Sequence, residues 1–541
     1  MDSGQIIFVL FSTRKGYVMK KAKLFFINSI VMIATSLVLR IIDVFFNVYI
    51  SNKIGLAGMG LIQIIMSMFG FSVIVACSGI GLASTRLVAE ELAYNSHSGV
   101  RKSMKTCLTY AIVFGCFASF ILLIGGNFIG THLLKDTRTI QSLHILAISL
   151  PFYSAQCALY GYFTAVRRVF LSSITQILEM GARIGLTVFF IEKNIEKGME
   201  ATCNGLMMAA TLSEVVAFSL MFSVYMIDKR RFKRKDTTKN NIPKRLFKIS
   251  LPMAFSSYVC SALITIKNVM IPIGLVKYGM TRDIALSQFG VINGMVIPII
   301  LFPAAFIGTF SSLIVPEITE CYRLGNRKKI NYIVTRAFQV TLIFTICVIA
   351  IFLKFSQEFG MVVYKNITIG TYIEILTPLA LIAYLDGITD AMLKGLDQQV
   401  ASMFFNIFDS GFSILLVYFL LPRFGLNGLL FLMFASKLLN TFLSINKIAK
   451  ITDFKVKYSN WMLKPFICSF IAVVFAKAIV NVVYHGYRYS VSVLTMYVTL
   501  SIVLYLILIF AFGCIKKQDI KLLTNKFKKK NISKGIDSDV A

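Results

Sequence analysis

Ionisable side chains are rare inside long apolar runs, yet this chain places several there at helical spacing. Arg40 and Asp43 stand three residues apart, while Arg86/Glu90 and Glu179/Arg183 stand four apart. Both spacings bring two side chains to one helix face. Glu214, Lys267, Glu317 and Asp409 are further charges within or at the ends of such runs. A charge in hydrocarbon costs about 2.5–3.5 kcal/mol on insertion scales, so each position marks a pathway, a relay or a pair. The chemistry on offer is contact of a cation with an anionic group such as phosphate, or carboxylate binding of a cation or proton.

Each position also has a plainer reading. Arg40 lies roughly 24 Å along its helix at about 1.5 Å per residue, where its side chain can snorkel to a headgroup instead of lining a cavity. Arg86 with Glu90 reads either as a structural pair at a helix end or as a gate with Glu317 as its counterpart. Glu214 reads as a partner of Arg183 or as the site of a coupling cation. Asp386 and Asp390 are four apart and close to Lys394, which can neutralise one of them.

Other chemistries lack their residues. The four His (97, 132, 144, 485) do not cluster, and the ten Cys are scattered, without a CxxC spacing. Neither a metal centre nor a disulfide framework is expected, nor a cofactor.

The elements that hold these charges are membrane spans. The chain has 541 residues, 57% hydrophobic and 15% charged, where soluble domains run at roughly 45–50% and about 25%. It reads as an all-α integral membrane protein. A bilayer needs about 20 apolar residues per span, which gives fourteen runs: 24–50, 56–80, 104–130, 139–166, 169–192, 201–227, 246–276, 284–315, 329–355, 369–393, 400–421, 425–449, 462–483 and 490–515. The net charge of +31 sits in short segments between runs, the positive-inside pattern, not in a groove for nucleic acid. Residues 228–248 hold ten basic side chains, the tail 516–541 eight and the N-terminal segment five. With fourteen spans every basic loop falls on one side, so both termini are expected in the cytoplasm. Residues 1–18 read as an upstream extension without a fold role, ahead of a start at Met19-Lys20-Lys21.

The runs repeat. Setting 24–227 over 246–449 places Arg40 on Lys267, Glu90 on Glu317, Arg101-Lys102 on Lys328-Lys329 and Pro151 on Pro378, each 227 apart. With three residues inserted, Glu179 falls on Asp409 and Gly181 on Gly411, while Ser413 stands at the place of Arg183. An even number of spans per copy gives a parallel repeat with the substrate path at its interface. The expected organisation is a 1–23 segment, an N-lobe (24–227), a basic linker (228–245), a C-lobe (246–449), two further spans (450–515) and a basic tail (516–541). Pro151 and Pro378 are expected to kink their helices, since proline removes a backbone bond.

Two stretches carry a family resemblance: Ser78-Gly79-Ile80-Gly81 through Ser84-Thr85-Arg86-Leu87-Val88-Ala89-Glu90, and Tyr160-Gly161-Tyr162-Phe163 with Ser173 to Glu179. They resemble signatures of the polysaccharide flippases of the stage V sporulation protein B type, and Leu313-Ile314-Val315-Pro316-Glu317 extends the likeness. That group lies in the multidrug/oligosaccharidyl-lipid/polysaccharide exporter superfamily. The resemblance implies a V-shaped, two-lobed transporter working by alternating access on an undecaprenyl-diphosphate-linked saccharide, with a role in spore cortex assembly. It also implies essential cations in a central cavity, for which Arg40, Arg86 and Lys267 are this chain's candidates, with Asp43 holding Arg40. One departure is Phe170-Leu171-Ser172, where relatives carry a proline.

The expected activity is therefore transport of a lipid-linked oligosaccharide such as lipid II across the cytoplasmic membrane, not catalysis. Membrane lipids and cell-wall synthesis enzymes are the expected partners, with Na⁺ or H⁺ coupling through Glu214 or drive from the membrane potential, about 2.3 kcal/mol per charge per 100 mV. The alternatives are a cation-coupled multidrug exporter of the same superfamily and a non-transporting scaffold in cell-wall assembly. A membrane glycosyltransferase would need an extramembrane catalytic region, for which the loops are too short.

Overall fold

The computed structural model describes residues 3–94, 96–232, 241–452, 454, 459–483 and 489–514. The expected tail (516–541), the middle of the linker (233–240) and residues 484–488 lie outside them. No strand occurs among the described residues. In chain order the helices are α1 (Ser3–Cys77), α2 (Ile80–Ala93), α3 (His97–Phe128), α4 (Ile140–Ala147), α5 (Leu150–Ala165), α6 (Val169–Asn194), α7 (Met199–Asp228), α8 (Ile242–Lys277) and α9 (Arg282–Phe289). There follow α10 (Ile297–Leu301), α11 (Ala304–Arg323), α12 (Arg327–Tyr364), α13 (Ile367–Leu376), α14 (Leu379–Gly395), α15 (Gln399–Ile451), α16 (Lys464–Val483) and α17 (Val491–Ala511).

Among the described residues ten helices are long and apolar enough to cross a bilayer, and up to twelve if each of two bent pairs is one span. Two of the ten exceed any single crossing. Ala34–Ala93 has 60 residues and Gln399–Ile451 has 53, about 90 and 80 Å of helix against a hydrocarbon layer of about 30 Å. A glycine in a non-helical conformation interrupts each, Gly55 (φ 78°) and Gly425 (φ 53°). The fourteen spans expected from the apolar runs follow if each of these two crosses twice.

The internal repeat is also written in the turns. Two non-glycine residues with left-handed backbone, Lys135 and Arg167, recur 230 positions later as Lys365 and Asp397. Helix caps follow the same spacing. Ser96 accepts from the Gly99 N–H and Asn326 from the Lys329 N–H, while Asp136 accepts from Arg138 and Asn366 from Thr368. The repeated prolines sit at repeated bends, 47° between α4 and α5 and 53° between α13 and α14. Proline offers no N–H to the carbonyl four residues earlier. A hydroxyl side chain stands beside each bend: Ser149 Oγ donates to the Leu146 carbonyl and Thr377 Oγ1 to that of Ile373, both at 2.6 Å.

The chain separates into two compact units, Met1–Ala305 with Met403–Ser436, and Phe306–Ser402 with Lys437–Ala541. The first contains all of the 24–227 copy, together with α8, α9, α10 and part of α15. Its core joins α2, α3, α5, α7 and the start of α8 through side chains such as Leu87, Met104, Leu159, Tyr162, Tyr225 and Leu246. In the second unit α16 and α17, which stand outside the repeat, pack on each other and on α12 around Phe355, Ala472, Tyr497 and Tyr505.

Candidate functional site

A cavity of about 300 Å³ in the first unit is lined by Ser36, Arg40 and Asp43 of α1 and Gln176, Glu179 and Arg183 of α6. On each helix these positions recur at three or four residues, so each contributes one polar face. Arg183 is the hub. Its Nη2 lies 3.0 Å from Glu214 Oε1 on α7 and 3.3 Å from Glu179 Oε1. One guanidinium thus serves two carboxylates. Glu179 Oε2 accepts from Gln156 Nε2 of α5 at 2.9 Å and from the Tyr160 hydroxyl at 3.5 Å. Behind this layer Glu214 Oε2 and Gln156 Oε1 are buried and accept no hydrogen bond among the described residues.

Arg40 differs. It is exposed at the cavity wall and makes no ion pair or hydrogen bond among the described residues. Asp43, also exposed, feels both Arg40 and Arg183. The lining is mixed in charge, two guanidinium groups facing two carboxylates, with Glu214 behind.

Lys267, the repeat counterpart of Arg40, is not among the residues lining this cavity. It stands on α8 near Cys260, within electrostatic reach of which Asp409 of α15 also lies. Asp409 Oδ1 accepts from Ser436 Oγ at 2.6 Å, and Ser436 in turn accepts from Ser413 at 2.9 Å. In the second copy a serine pair therefore stands around the acid that Arg183 attends in the first.

The other expected charges are paired. Arg86, 64% exposed, contacts Glu90 at 3.0 Å. Arg245 of α8 also bonds Glu90, and its Nη1 lies 2.8 Å from the buried Glu91. Glu317 has Lys329 at 3.7 Å, so Glu90 and Glu317 each have a partner within their own unit. Asp390 pairs with Lys394 at 2.7 Å, and Asp386 with Lys437 at 3.0 Å.

One cluster was not legible in the sequence because its members come from segments about 145 positions apart. Arg138 binds Asp136 at 2.8 Å and Asp283 at 3.0 Å, and Arg282 donates to the Leu134 carbonyl at 2.6 Å. These contacts tie the loop after α3 to the start of α9. Burial opposes the ionisation of Asp136, but the Arg138 guanidinium and N–H and the nearby Arg282 outweigh it and hold the carboxyl below its usual range. In the second unit an apolar cavity of about 680 Å³ is bounded by Ile346 and Leu353 of α12, Pro378 and Leu381 at the proline bend, and Met462 and Phe466 at the start of α16.

An all-helical, multi-span chain with an internal repeat and a charged cavity within its spans defines a membrane protein of transporter fold. Solved structures share it. The lipid II flippase MurJ in an inward closed conformation matches with a TM-score of 0.64 at 13% identity, covering 90% of this chain and 98% of that one. An inward-facing MATE family multidrug resistance transporter of the MOP superfamily matches with a TM-score of 0.56 at 14% identity, over 78% of this chain and all of that one. The stage V sporulation protein B of Bacillus subtilis (strain 168) is 23% identical over 504 residues, 91% of this chain and 96% of that protein. The family model described as polysaccharide biosynthesis protein matches residues 26–306, and the chain belongs to that family.

Proposed function

We propose that this chain is a flippase that carries an undecaprenyl-diphosphate-linked saccharide, lipid II or a related precursor, across the cytoplasmic membrane by alternating access. Both termini lie in the cytoplasm, where the basic loops belong. Arg40 carries the reading: an exposed guanidinium in a cavity within the spans, with no hydrogen bond or ion pair among the described residues, is suited to a diphosphate, whose oxygens match its planar donors. Family membership and the likeness to a lipid II flippase support the cargo class, and the sporulation relative supports assigning the cargo to spore cortex peptidoglycan. Lys267 and Arg86 take the headgroup at other stages of transport, while Glu90 and Glu317 make and break pairs as the lobes rock. The chain does no bond chemistry on its cargo.

A second reading, a cation-coupled multidrug exporter, draws on a specific observation: Glu179 and Glu214 share one Arg183, and Glu214 keeps a buried oxygen without a donor. In the flippase reading the same acid takes the coupling H⁺ or Na⁺. The two readings part on cargo. In vesicles reconstituted with the full chain, the account expects a labelled undecaprenyl-diphosphate disaccharide to become accessible across the bilayer. Cation-driven movement of a lipophilic cationic dye without movement of the glycolipid would favour the exporter. Neither movement, with Ala tolerated at the charged positions, would leave the scaffold.

A further inference from the structure

A groove of about 380 Å³ runs between α3 and the first turns of α8, away from the Arg40 cavity. Val113, Phe114, Leu246 and Phe247 make its walls, and Tyr110 lies at its base. Its volume falls within the roughly 300–1,000 Å³ of ordinary ligand sites. The rim is cationic. Lys105 lines the groove, Lys102 stands one turn earlier on the same α3 face, and Lys244 and Lys248 sit one turn apart on α8. All four side chains are exposed, and none has an ion pair among the described residues. The acids at this end of the bundle are occupied elsewhere: Glu90 and Glu91 by Arg245, and Asp228 by Arg168. One such cation, Lys105, therefore lines the apolar slot, and three more stand on the two helices that bound it, at the end of the bundle where the basic loops lie.

An apolar slot with a cationic rim is the complement of one molecule always present beside a membrane protein. The geometry points to an anionic phospholipid of that leaflet, with an acyl chain between Val113 and Phe247 and its phosphate among Lys102, Lys105, Lys244 and Lys248. Basic pockets between spanning helices at the cytoplasmic face hold acidic headgroups by the same physics. The site rests on the positive-inside orientation and not on the identity of the cargo.

The base of the groove gives the lipid a structural consequence. The Tyr110 hydroxyl donates to the Ser78 carbonyl at 3.4 Å and accepts from Ser250 Oγ of α8 at 3.3 Å, while its ring packs edge-on against Phe247. Ser78 and Gly79 both have left-handed backbone and form the break between α1 and α2. A chain in the groove thus lies against the residue that joins this break to α8. The lipid would clamp α3 of the first copy to α8 of the second.

The test is native mass spectrometry of the full chain in detergent with equimolar phosphatidylglycerol and phosphatidylethanolamine. Wild type is expected to retain phosphatidylglycerol in preference. Lys105→Gln with Lys244→Gln should lower the ratio of the two lipids retained on the order of tenfold. Thr109→Trp, aimed into the slot, should reduce retention of phosphatidylglycerol with every rim charge in place. Lys193→Gln with Lys197→Gln, exposed lysines at the far end of α6, should leave the ratio unchanged. Equal retention of both lipids by wild type would overturn the site. So would an equal loss in the Lys193/Lys197 variant, which would mark the preference as diffuse charge. Undiminished retention by Thr109→Trp would do the same.

Discussion

Asp136→Asn removes the buried charge that orders Arg138 and lies near Arg282 where the loop after α3 meets the start of α9. The wild-type carboxylate, only 5% exposed, accepts from the Arg138 N–H at 3.1 Å, Nε at 2.9 Å and Nη2 at 2.8 Å, with Arg282 Nε at 3.8 Å. Hydrogen bonds to a charged group contribute about 1.5–3 kcal/mol each. Arg138 and Arg282 keep a quarter of their surface in water, at 25% and 24% exposed, so solvent recovers part of the loss. Asn also keeps one acceptor for the capping N–H, but turns two donors toward a guanidinium. The net cost is expected at ~1–3 kcal/mol. Asp283, 67% exposed, should cost under ~1 kcal/mol when changed to Asn.

The pH dependence follows from the same contacts. The folded-state pKa of Asp136 is lowered, so its contribution is fully present above the ordinary carboxylate value of about 3.9. It is lost only as pH falls through the lower folded value. Thermal unfolding followed by fluorescence-detected size exclusion should show a constant gap between wild type and Asp136→Asn from about pH 7.5 down to about pH 5.5. A gap that closes within that window would refute the reasoning, as would an Asp283→Asn variant as damaged as Asp136→Asn.

Two further outcomes rest on packing and on charge. A Cβ on Gly60 would lie 1.9 Å from the Leu286 carbonyl oxygen, and one on Gly290 would lie 2.4 Å from the Gly60 nitrogen. Either Gly→Ala change pushes backbone against backbone and should destabilise by at least ~1–3 kcal/mol. Gly181→Ala, which meets nothing within 4 Å, should be neutral or slightly stabilising in the same melting assay. Arg183→Gln leaves Glu179 and Glu214 without their shared cation. Removal of one partner from a buried pair costs about 3–5 kcal/mol, and the low end applies because Arg183 is 33% exposed. Glu214→Gln added to that variant should restore part of the loss, and a double-mutant cycle that is additive would contradict the pairing.

What the sequence could show depended on how unusual each residue was in its surroundings. A charge inside an apolar run stands out, so Arg40, Asp43, Glu179, Arg183 and Glu214 were visible as candidates, and the structure gathers them around one cavity. Gln156, which with Tyr160 completes the hydrogen bonding of Glu179, is neutral and unremarkable in the sequence, and Tyr160 stands out there only as part of a family signature. Arg245 is one of ten bases in residues 228–248; only the fold reveals that it reaches Glu90 and Glu91. Asp136 and Arg138 lie in a short loop and Arg282 and Asp283 at the start of α9, far apart in sequence, and nothing local announces that they meet.

Spacing alone also cannot place equivalent residues in one space. The repeat pairs Arg40 with Lys267, but the cavity at Arg40 is lined by α1 and α6, and Lys267 has its own polar surroundings on α8. Apolar runs locate some breaks in the helices and miss others. Gly55 and Gly425 stand where one apolar run gives way to the next, whereas the Ser78-Gly79 break lies inside the run 56–80, in the stretch that carries the family resemblance. Prolines are the exception, since a missing N–H is a local property, and the bends at Pro151 and Pro378 stand where the sequence expects them.

The central claim is that Arg40 meets the diphosphate of a lipid-linked saccharide. Native mass spectrometry of the purified chain with a prenyl-diphosphate glycolipid, beside Arg40→Ala at matched thermal stability, addresses it most directly. The account predicts that wild type keeps the glycolipid in competition with ordinary phospholipid and that Arg40→Ala does not. Undiminished retention by Arg40→Ala, or no retention by wild type, would contradict it.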